Sequence, residues 1–440
     1  MTQGNVTSDR AFAHDVAVIG LGRIGLPLAL AFADRSLRVV GVDRDSGMLD
    51  RVRDGVMPFQ ETGTQELLER TLTADRLTLS EQIEDSAAAE SIVLTLGTPS
   101  LQHVEIDISQ IRSVLDALLP VLRPGHSIVL RSTIAPGTTE FVAGYIEKHR
   151  GLRVDEEILV AHVPERVAVN HFLEELQTLP QIVGGVGERS TRKAAELFSV
   201  FGAPILETAP VQAELAKIWT NIYRYASFAL PNLLMMDCEQ YDANVFEVVD
   251  LINRDYPRGG IARPGLTAGS CLRKDFNFSE ERSRAPGMLL AVSRVNESVP
   301  HFLVEGVKRR VGSLRERKVA VLGLTFKAES DDLRDSLSPK LIRFLERELA
   351  DVTCHDAVAP TPDSEPLETA LHAADIVVCA TDHSLYRQSS TLEMIRERSA
   401  PGCLLVDPWN AFGLSQVFAH VDEAPPSRGP MTGEARSRTA

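Results

Sequence analysis

Short apolar runs separated by amphipathic stretches fill the first half of the chain. Five runs have the length and composition of buried strands, at residues 15–20, 38–43, 91–96, 127–132 and 157–161. Residues 26–33, between the first two runs, have a helical pattern. Because strands that alternate with helices are typical of parallel sheets, the pattern predicts a doubly wound α/β domain over residues 1–205.

A long helical repeat begins near Val211. Its apolar positions recur every three or four residues, at Leu215, Ile218, Trp219, Ile222, Ala226, Ala229, Leu230 and Leu233. Pro231 lacks an N–H group and is expected to kink this helix. The stripe suits a plain core helix as well as a connecting helix that forms a dimer seam, and its periodicity does not separate the two. We assign residues 206–312 to a central helical domain.

The chain then repeats its own beginning. The segment KVAVLGL at residues 318–324 resembles DVAVIGL at residues 15–21, and strand patterns follow at 351–354, 375–379 and 404–407. The repeat predicts a second Rossmann-like domain over residues 313–420. The predicted fold class is therefore α/β, with two Rossmann-like doubly wound domains joined by a central helical segment that contains a long helix. Residues 421–440 are rich in Pro, Gly, Ser and Arg and are predicted to be a disordered tail.

Composition excludes several classes of partner. A formal net charge of −15 argues against a nucleic-acid surface, which needs a basic footprint. No apolar run is long enough to span a bilayer, and the polar N-terminus lacks the apolar core of a signal peptide, so we expect a cytoplasmic protein with no membrane partner. Five cysteines without a CxxC pair predict no metal site.

A glycine-rich turn follows the first predicted strand and opens a helix. The predicted cofactor loop consists of Gly20, Gly22, Arg23, Ile24 and Gly25. The first glycine permits the tight turn, the second lets the backbone approach a pyrophosphate, and the third lets helix and strand pack closely. Asp43 ends the second strand, where a carboxylate accepts a hydrogen bond from a ribose 2′-hydroxyl and repels a 2′-phosphate. The turn therefore predicts NAD rather than NADP, although the neighbouring Arg44 weakens that preference.

The second copy of the turn differs from the first. Thr325 stands where the middle glycine would be, so a pyrophosphate cannot lie on that backbone in the same way. Lys327, two residues later, would neutralise a phosphate from the side. We therefore expect the second domain to bind a different phosphorylated ligand.

One cysteine differs from the others in its surroundings. Cys271 lies in GLTAGSCLRKD, with glycines before it and a cation and a carboxylate after it, whereas the other four lie in apolar stretches that predict burial. A reactive thiol in a nicotinamide enzyme indicates oxidation beyond the aldehyde, through a thioester, to an acid.

Polar residues also mark the long helix and the ends of the predicted strands. Lys217 and Asn221 are one helical turn apart and share a face. The neighbouring Ile218 and Trp219 have the pattern of buried residues. This pattern favours Lys217 and Asn221 as a pair that faces a cleft rather than solvent. Three further residues are expected to line a ligand site at the carboxyl ends of strands: Thr98, Thr133 and Glu165.

Eight motifs carry a resemblance to a known family, in order between residues 14 and 415. They are GLGRIGLPLA, LTLGTP, STIAPGTT, VPER, AELAKIWTN, GSCLRKD, VLGLTFKAESDDLRDS and VDPWN. The chain resembles the UDP-glucose/GDP-mannose dehydrogenase family of nucleotide-sugar 6-dehydrogenases. The resemblance implies a four-electron, NAD-dependent oxidation of a sugar C6 alcohol to the uronic acid, with a thiohemiacetal and then a thioester formed on Cys271.

The resemblance also implies roles for other residues. Asp275 would position or activate water, Lys217 and Asn221 would hold the C6 oxygen, and Thr133 and Glu165 would order water and substrate. The remaining contacts divide between the two ligands: Arg258, Gly269 and Lys327 would bind the nucleotide sugar, and Thr98, Thr133 and Arg334 would bind NAD. Arg258 resembles a family arginine that reaches the substrate of the neighbouring subunit. The family usually dimerises through its central helices, so we expect a homodimer.

The motifs leave the sugar and two rival activities open. The VPER segment resembles the N-acetylhexosamine branch, and Val169 follows it where glucose-type members carry a second glutamate. By contrast, Ser270, Lys274 and Asp275 resemble the glucose branch. UDP-glucose and a UDP-N-acetylhexosamine both remain candidate substrates. A two-electron NAD dehydrogenase or reductase and a catalytically silent nucleotide-sugar-binding protein are the alternatives.

Overall fold

The computed structural model describes residues 12–97, 109–258, 260–280 and 287–422. It divides into two compact units, Met1–Trp219 and Thr220–Ala440. Thr98 and residues 423–440 of the expected tail lie outside the described residues. No helix in the described ranges has the length and apolar character to cross a membrane.

The first unit is built around an eight-stranded sheet with the strand order β3-β2-β1-β4-β5-β6-β7-β8. The strands are β1 (His14–Ile19), β2 (Val39–Val42), β3 (Leu77–Ser80), β4 (Ala89–Leu94), β5 (Ser127–Leu130), β6 (Leu159–His162), β7 (Gln181–Gly185) and β8 (Ile205–Thr208). Neighbouring strands are parallel except for β6 and β7, which are antiparallel.

Helices cover both faces of this sheet. They are α1 (Gly25–Asp34), α2 (Ser46–Arg53), α3 (Thr64–Thr73), α4 (Ser109–Leu118), α5 (Thr138–Arg150), α6 (Phe172–Thr178) and α7 (Glu188–Ser199). Val16 and Val18 of β1 belong to one apolar cluster, while Ala17 and Ile19 belong to another. Successive side chains of a strand point to opposite faces, so both faces are buried, which explains why β1 and β2 are continuous apolar runs.

A long helix, α8 (Pro210–Gln240), continues past Pro231. Its apolar positions fall on two sides. Ile218, Ile222 and Ala229 are buried, whereas an exposed apolar stripe comprises Leu215, Trp219, Tyr223, Leu230 and Leu233. The prediction that Trp219 is buried is wrong, because half of its surface is exposed (50%).

The second unit contains a five-stranded sheet with the order β10-β9-β11-β12-β13. Its strands are β9 (Lys318–Leu322), β10 (Asp351–His355), β11 (Ile376–Cys379), β12 (Leu404–Val406) and β13 (Phe418–His420), and only β12 and β13 pair antiparallel. Strand β9 lies between β10 and β11 as β1 lies between β2 and β4, which confirms the predicted internal repeat.

The helices of the second unit either precede this sheet or pack against it. They are α9 (Val245–Asn253), α10 (Ser270–Asp275), α11 (Asn277–Glu280), α12 (Met288–Val311), α13 (Ser338–Arg347), α14 (Leu367–Ala370) and α15 (Ser389–Arg398). The predicted α/β class, with two Rossmann-like sheets and a central helical segment, is confirmed.

Candidate active site

The glycine turn between β1 and α1 has the shape that a dinucleotide requires. Gly20 has φ +93°, and a Cβ atom there would lie 2.7 Å from the carbonyl oxygen of Thr95. A Cβ on Gly25 would lie 1.8 Å from the carbonyl oxygen of Gly20, whereas a Cβ on Gly22 would meet no atom within 4 Å. Gly20 and Gly25 are thus required by the fold itself. Gly22 borders open space, which leaves room for a pyrophosphate to approach the backbone.

The other residues of the predicted cofactor loop support this turn. The guanidinium of Arg23 lies 5.2 Å from the centre of the Phe59 ring, and Ile24 packs against the apolar core. Asp43 is partly exposed at the end of β2; its Oδ2 accepts a hydrogen bond from the Leu21 N–H (2.6 Å) and its Oδ1 accepts one from the Asp45 N–H (3.0 Å). Each oxygen keeps an acceptor position for a ribose hydroxyl, so these residues fit NAD.

Glu165 lies next to a fully buried arginine at the carboxyl ends of β5 and β6. Its Oε2 accepts hydrogen bonds from Nε (3.0 Å) and Nη2 (2.5 Å) of Arg131, and its Oε1 accepts from the N–H groups of Arg166 (2.7 Å) and Val167 (2.9 Å). These four bonds use all the acceptor positions of a carboxylate. Glu165 therefore has no acceptor position left for water or substrate in this structure, and its role in ordering them stays a prediction. Thr133 follows β5 and is partly exposed.

Lys217 and Asn221 are both buried on α8, at 9% and 5% exposure. The beginning of this helix is held by Glu214, which accepts hydrogen bonds from the N–H groups of Gly137 (2.7 Å) and Thr139 (2.9 Å), and burial raises the pKa of Glu214. Sequence reasoning missed the anchoring role of Glu214, although it lies three residues before Lys217 in the same motif.

A neutral histidine lies at the end of β6. Burial lowers the pKa of His162 to about 3, and the positive charges of Arg131 and Lys217 act in the same direction. Its Nδ1 hydrogen-bonds to the Leu130 carbonyl oxygen (2.9 Å), while its Nε2 has no partner among the described residues. His162 therefore contributes no positive charge beside Lys217 near neutral pH.

Cys271 is the only exposed cysteine of the five. The prediction of burial is confirmed for Cys238, Cys379 and Cys403, while Cys354 is partly exposed. The turn before Cys271 depends on Gly269, which has φ +107° and where a Cβ would lie 2.7 Å from the ring of Phe326.

A buried carboxylate lies on the same short helix as this thiol. Asp275 is fully buried; its Oδ2 accepts a hydrogen bond from Nδ2 of Asn221 (2.5 Å), and its Oδ1 contacts Nζ of Lys274 (2.7 Å). The structure thus brings together Asn221 and Asp275, which are 54 positions apart, and gives Asp275 a cationic partner.

Two buried asparagines hold the loop that carries Cys271. Oδ1 of Asn232 on α8 accepts a hydrogen bond from the Gly265 N–H (2.8 Å), and its Nδ2 donates to Oδ1 of Asn296 on α12 (2.9 Å). Asn296 in turn donates to the Tyr225 carbonyl oxygen (3.1 Å). A Cβ on Gly265 would lie 2.3 Å from the ring of Trp409, so the loop packs closely against that side chain.

The cationic side chains that are predicted to bind the two ligands differ in their surroundings. Lys327 is partly buried, and Arg334 is exposed with its guanidinium on the carboxylate of Asp332 (2.9 and 2.7 Å), a hydrogen bond that raises the pKa of Arg334. Arg258 is exposed, lies over the ring of Tyr256 at 4.8 Å and donates to its hydroxyl (2.8 Å).

The predicted site residues divide between the two units. The cofactor turn, Asp43, Thr133, Glu165 and Lys217 belong to the first unit. The second unit holds the rest of the described ones: Asn221, Arg258, Gly269, Cys271, Asp275, Lys327 and Arg334.

The doubly wound sheet and its glycine turn place this protein in the class of dinucleotide-binding proteins. Three family models match the chain in succession: the NAD binding domain (residues 14–202), the central domain (211–298) and the UDP binding domain (320–413) of the UDP-glucose/GDP-mannose dehydrogenase family. The chain belongs to that family.

Individual relatives agree with this assignment. The chain is 33% identical over 380 residues to a UDP-N-acetyl-D-mannosamine dehydrogenase of Pyrococcus horikoshii, covering 84% of this chain and 90% of the relative. It is 31% identical over 405 residues to an NDP-N-acetyl-D-galactosaminuronic acid dehydrogenase of Ralstonia solanacearum, covering 87% and 95%. The solved structure of a UDP-D-ManNAc dehydrogenase from Pyrococcus horikoshii superimposes with a TM-score of 0.84 at 30% identity, covering 90% of this chain and 96% of that one.

These findings confirm the predicted family, the predicted cofactor NAD and the predicted reaction class, an oxidation of a CH–OH group. The protein is an NAD-dependent nucleotide-sugar dehydrogenase, with the glycine turn and Asp43 in its NAD-binding domain.

Proposed function

We propose that this enzyme oxidises the C6 alcohol of a UDP-linked N-acetylhexosamine to the carboxylic acid, through a covalent intermediate on Cys271. One observation supports the covalent route. The single exposed thiol lies on the same short helix as a buried carboxylate, and that carboxylate accepts a hydrogen bond from a buried asparagine. A two-electron alcohol oxidation needs no nucleophile, whereas an acid product requires the aldehyde carbon to be attacked.

The proposed steps balance as follows. NAD, when bound, accepts the hydride that leaves in each of two oxidations. Lys217 and Asn221 hold the C6 oxygen, and the thiolate of Cys271 attacks the aldehyde carbon to form a thiohemiacetal. Departure of the second hydride leaves a thioester, and water positioned by Asp275 breaks the carbon–sulfur bond and releases Cys271. One alcohol, two NAD and one water thus give one carboxylic acid, two NADH and two protons.

The contacts of Asp275 support a role in positioning water. Asn221 and Lys274 each donate to one carboxylate oxygen, at 2.5 and 2.7 Å, so each oxygen keeps one unused acceptor position inside the buried site. Thr133 is partly exposed at a strand end and is proposed to contact both water and NAD. Glu165 is proposed to act through the arginine and the turn that it holds.

The sugar is proposed from the relatives and from one motif. The two curated relatives named above act on N-acetylated hexosamine derivatives, as their names state, and the VPER segment has the form of that branch. Lys327, Gly269 and Arg258 are proposed to bind the nucleotide sugar, and Arg334 and Thr98 to bind NAD. UDP-glucose belongs in the substrate panel because the loop from Ser270 to Asp275 resembles the glucose branch.

We also propose a homodimer through α8. The helix leaves a stripe of large apolar side chains exposed, including Tyr223 (69%), Leu230 (61%) and Trp219 (50%). Contiguous exposed apolar surface of this kind marks interaction sites. Trp219→Glu should lower the mass measured by light scattering to that of a monomer, and an unchanged mass would contradict the proposal.

The decisive experiment counts NADH per sugar and identifies the acid by mass spectrometry, with UDP-N-acetylmannosamine, UDP-N-acetylgalactosamine, UDP-N-acetylglucosamine and UDP-glucose. Two NADH per sugar and an acid support the proposal. One NADH and an aldehyde or ketone would identify a two-electron dehydrogenase. Binding of UDP-sugars without any turnover would identify a silent binding protein.

A matched pair of variants tests the thiol. Cys271→Ser should abolish acid formation and leave NAD binding unchanged, because serine is a far weaker nucleophile and leaving group. Cys354→Ser, which changes a partly exposed thiol on β10, is the control and should retain full activity. Acid production by Cys271→Ser at the rate of the control would end the thioester proposal.

A further inference from the structure

The two glycine turns of this chain each face an acidic residue, but the two carboxylates differ in accessibility. In the first unit, Asp43 is partly exposed and accepts from the Leu21 N–H at 2.6 Å. In the second unit, Asp356 follows β10 and accepts from the Leu324 N–H at the same distance, 2.6 Å, but its side chain is fully buried. The chain therefore contains its own comparison between an open and a closed version of one turn.

Asp356 is closed off by backbone amides and by a histidine. Its Oδ1 accepts from the N–H groups of Val358 (2.8 Å) and Ala359 (2.7 Å), and its Oδ2 lies 3.3 Å from Nε2 of His383. Burial alone would raise the pKa of Asp356, but the hydrogen bonds from His383 and the backbone lower it overall, so the carboxylate stays ionised. No acceptor position remains for a ribose hydroxyl.

The ring of His383 has polar contacts at both nitrogens. Its Nδ1 accepts from the Glu329 N–H at 3.0 Å, and its Nε2 faces Asp356 and Thr325. Nε2 lies 3.1 Å from Oγ1 of Thr325, whose own proton goes to the Lys327 carbonyl oxygen (2.9 Å). One buried ring thus connects Asp356, Thr325 and Glu329.

These contacts hold one end of a segment that we name the second glycine loop, residues 323–336. Glu329 has φ +56°, a left-handed conformation that is unfavourable for an L-residue and persists only where neighbours impose it. The N–H of Glu329 is bound by His383, and its carboxylate accepts from the Ser384 N–H at 2.6 Å. Lys327 lies between the two residues, Thr325 and Glu329, that His383 contacts.

The other end of the second glycine loop supports the Cys271 turn. Asp335 also has a left-handed backbone, φ +55°, and its carbonyl oxygen accepts from the Gly269 N–H (3.4 Å) and from Nη1 of Arg273 (3.1 Å). The ring of Phe326 lies so close to Gly269 that a Cβ there would be 2.7 Å away. The second glycine loop therefore contacts the residues on both sides of Cys271, Gly269 and Arg273.

We infer that His383 is a positioning residue: its buried ring closes the second turn to a dinucleotide and fixes the second glycine loop. Lys327 then meets the nucleotide diphosphate, and Gly269 and Arg273 hold Cys271. This inference rests on the proposed function, because it assigns the loop to the nucleotide of the substrate. It adds a residue that touches neither ligand and acts through the loop.

Paired substitutions test the inference with UDP as the probe. His383→Gln keeps an N–H donor for Asp356 but loses the acceptor for Glu329, whereas His383→Phe loses both. The control is His372→Gln, which changes an exposed histidine of the same unit. We expect the Kd for UDP to rise at least threefold in His383→Gln and at least tenfold in His383→Phe, with the Kd for NAD within twofold of the wild type in both.

The rate at which iodoacetamide alkylates Cys271 provides a second readout. Destabilisation elsewhere in the protein would not change this rate. The rate should change at least threefold in His383→Gln, and UDP should protect that variant less than it protects the wild type. A folded His383→Gln with the wild-type UDP affinity and alkylation rate would overturn the inference, even if His383→Phe does not fold. A wild-type enzyme that does not bind UDP would instead refute the proposed function.

Discussion

Glu165→Gln should destabilise the first unit strongly, because it separates a buried ion pair. Glutamine keeps one oxygen for the N–H groups of Arg166 and Val167 but turns an NH₂ group towards Arg131. Two charge-assisted hydrogen bonds, at 3.0 and 2.5 Å, are then lost. Arg131 is 0% exposed, so its charge cannot move into water.

The expected magnitude follows from that burial. Removal of one partner of a buried ion pair typically costs about 3–5 kcal/mol, because the remaining charge is uncompensated. Arg131 keeps bonds to the Val163 carbonyl oxygen (3.0 Å) and to Oε1 of Gln181 (3.1 Å), and it lies 4.8 Å from the centre of the Phe198 ring. These are neutral contacts, so we expect about 3 kcal/mol, the lower end of the range. For a unit of this size that corresponds to a fall in Tm of roughly 6–12 °C.

The assay is thermal unfolding of the wild type, Glu165→Gln and the exposed control Glu140→Gln. The double variant Glu165→Gln with Arg131→Met removes the uncompensated charge, so it should be more stable than Glu165→Gln alone. A fall in Tm of less than 2 °C for Glu165→Gln, or a double variant less stable than the single one, would refute the reasoning.

Further predictions concern the cofactor turn, acid stability and the thiol loop. Gly22→Ala should change the free energy of unfolding by less than about 0.5 kcal/mol but weaken NAD binding at least tenfold. Gly25→Ala should impair both stability and NAD binding, because its Cβ would lie 1.8 Å from a carbonyl oxygen. Equal effects of the two variants in NAD titration and in thermal unfolding would contradict this prediction. Because the pKa of His162 is lowered from 6.5 to about 3 in the folded protein, the unfolded chain binds more protons between these two pH values. Stability should therefore fall by about 1.4 kcal/mol for each unit that the pH drops in this range. His162→Asn should remove this loss when urea unfolding is compared at pH 7 and pH 5. Asn232→Leu leaves the Gly265 N–H without its acceptor and should accelerate alkylation of Cys271; an unchanged rate would show that the loop does not depend on this bond.

Local pattern was sufficient for the elements whose neighbours are close in sequence. The apolar runs of β1, β2, β4, β5 and β6, the glycine turn before α1 and the repeat at β9 were predicted from spacing alone, because burial on both faces of a parallel sheet leaves continuous apolar runs. The contrast between Cys271 and the buried Cys238, Cys379 and Cys403 was also predicted from immediate neighbours. Strands β3, β8 and β13 were missed, because at most one residue of each is buried and their sequences lack a continuous apolar run. Strand β7, which ends in two glycines, was also missed.

The partners of buried polar groups were decided only by the tertiary structure. Glu165 meets Arg131 across 34 positions, Asn221 meets Asp275 across 54, and His383 meets Asp356 across 27. Each pairing depends on which strand or helix ends lie together, and no local periodicity encodes that. The exposure of Trp219 has the same origin, since a helical stripe specifies a face of α8 but not what covers it. Sequence alone therefore determined the elements and the chemistry available, while long-range packing determined which groups are already engaged and which remain open to a ligand.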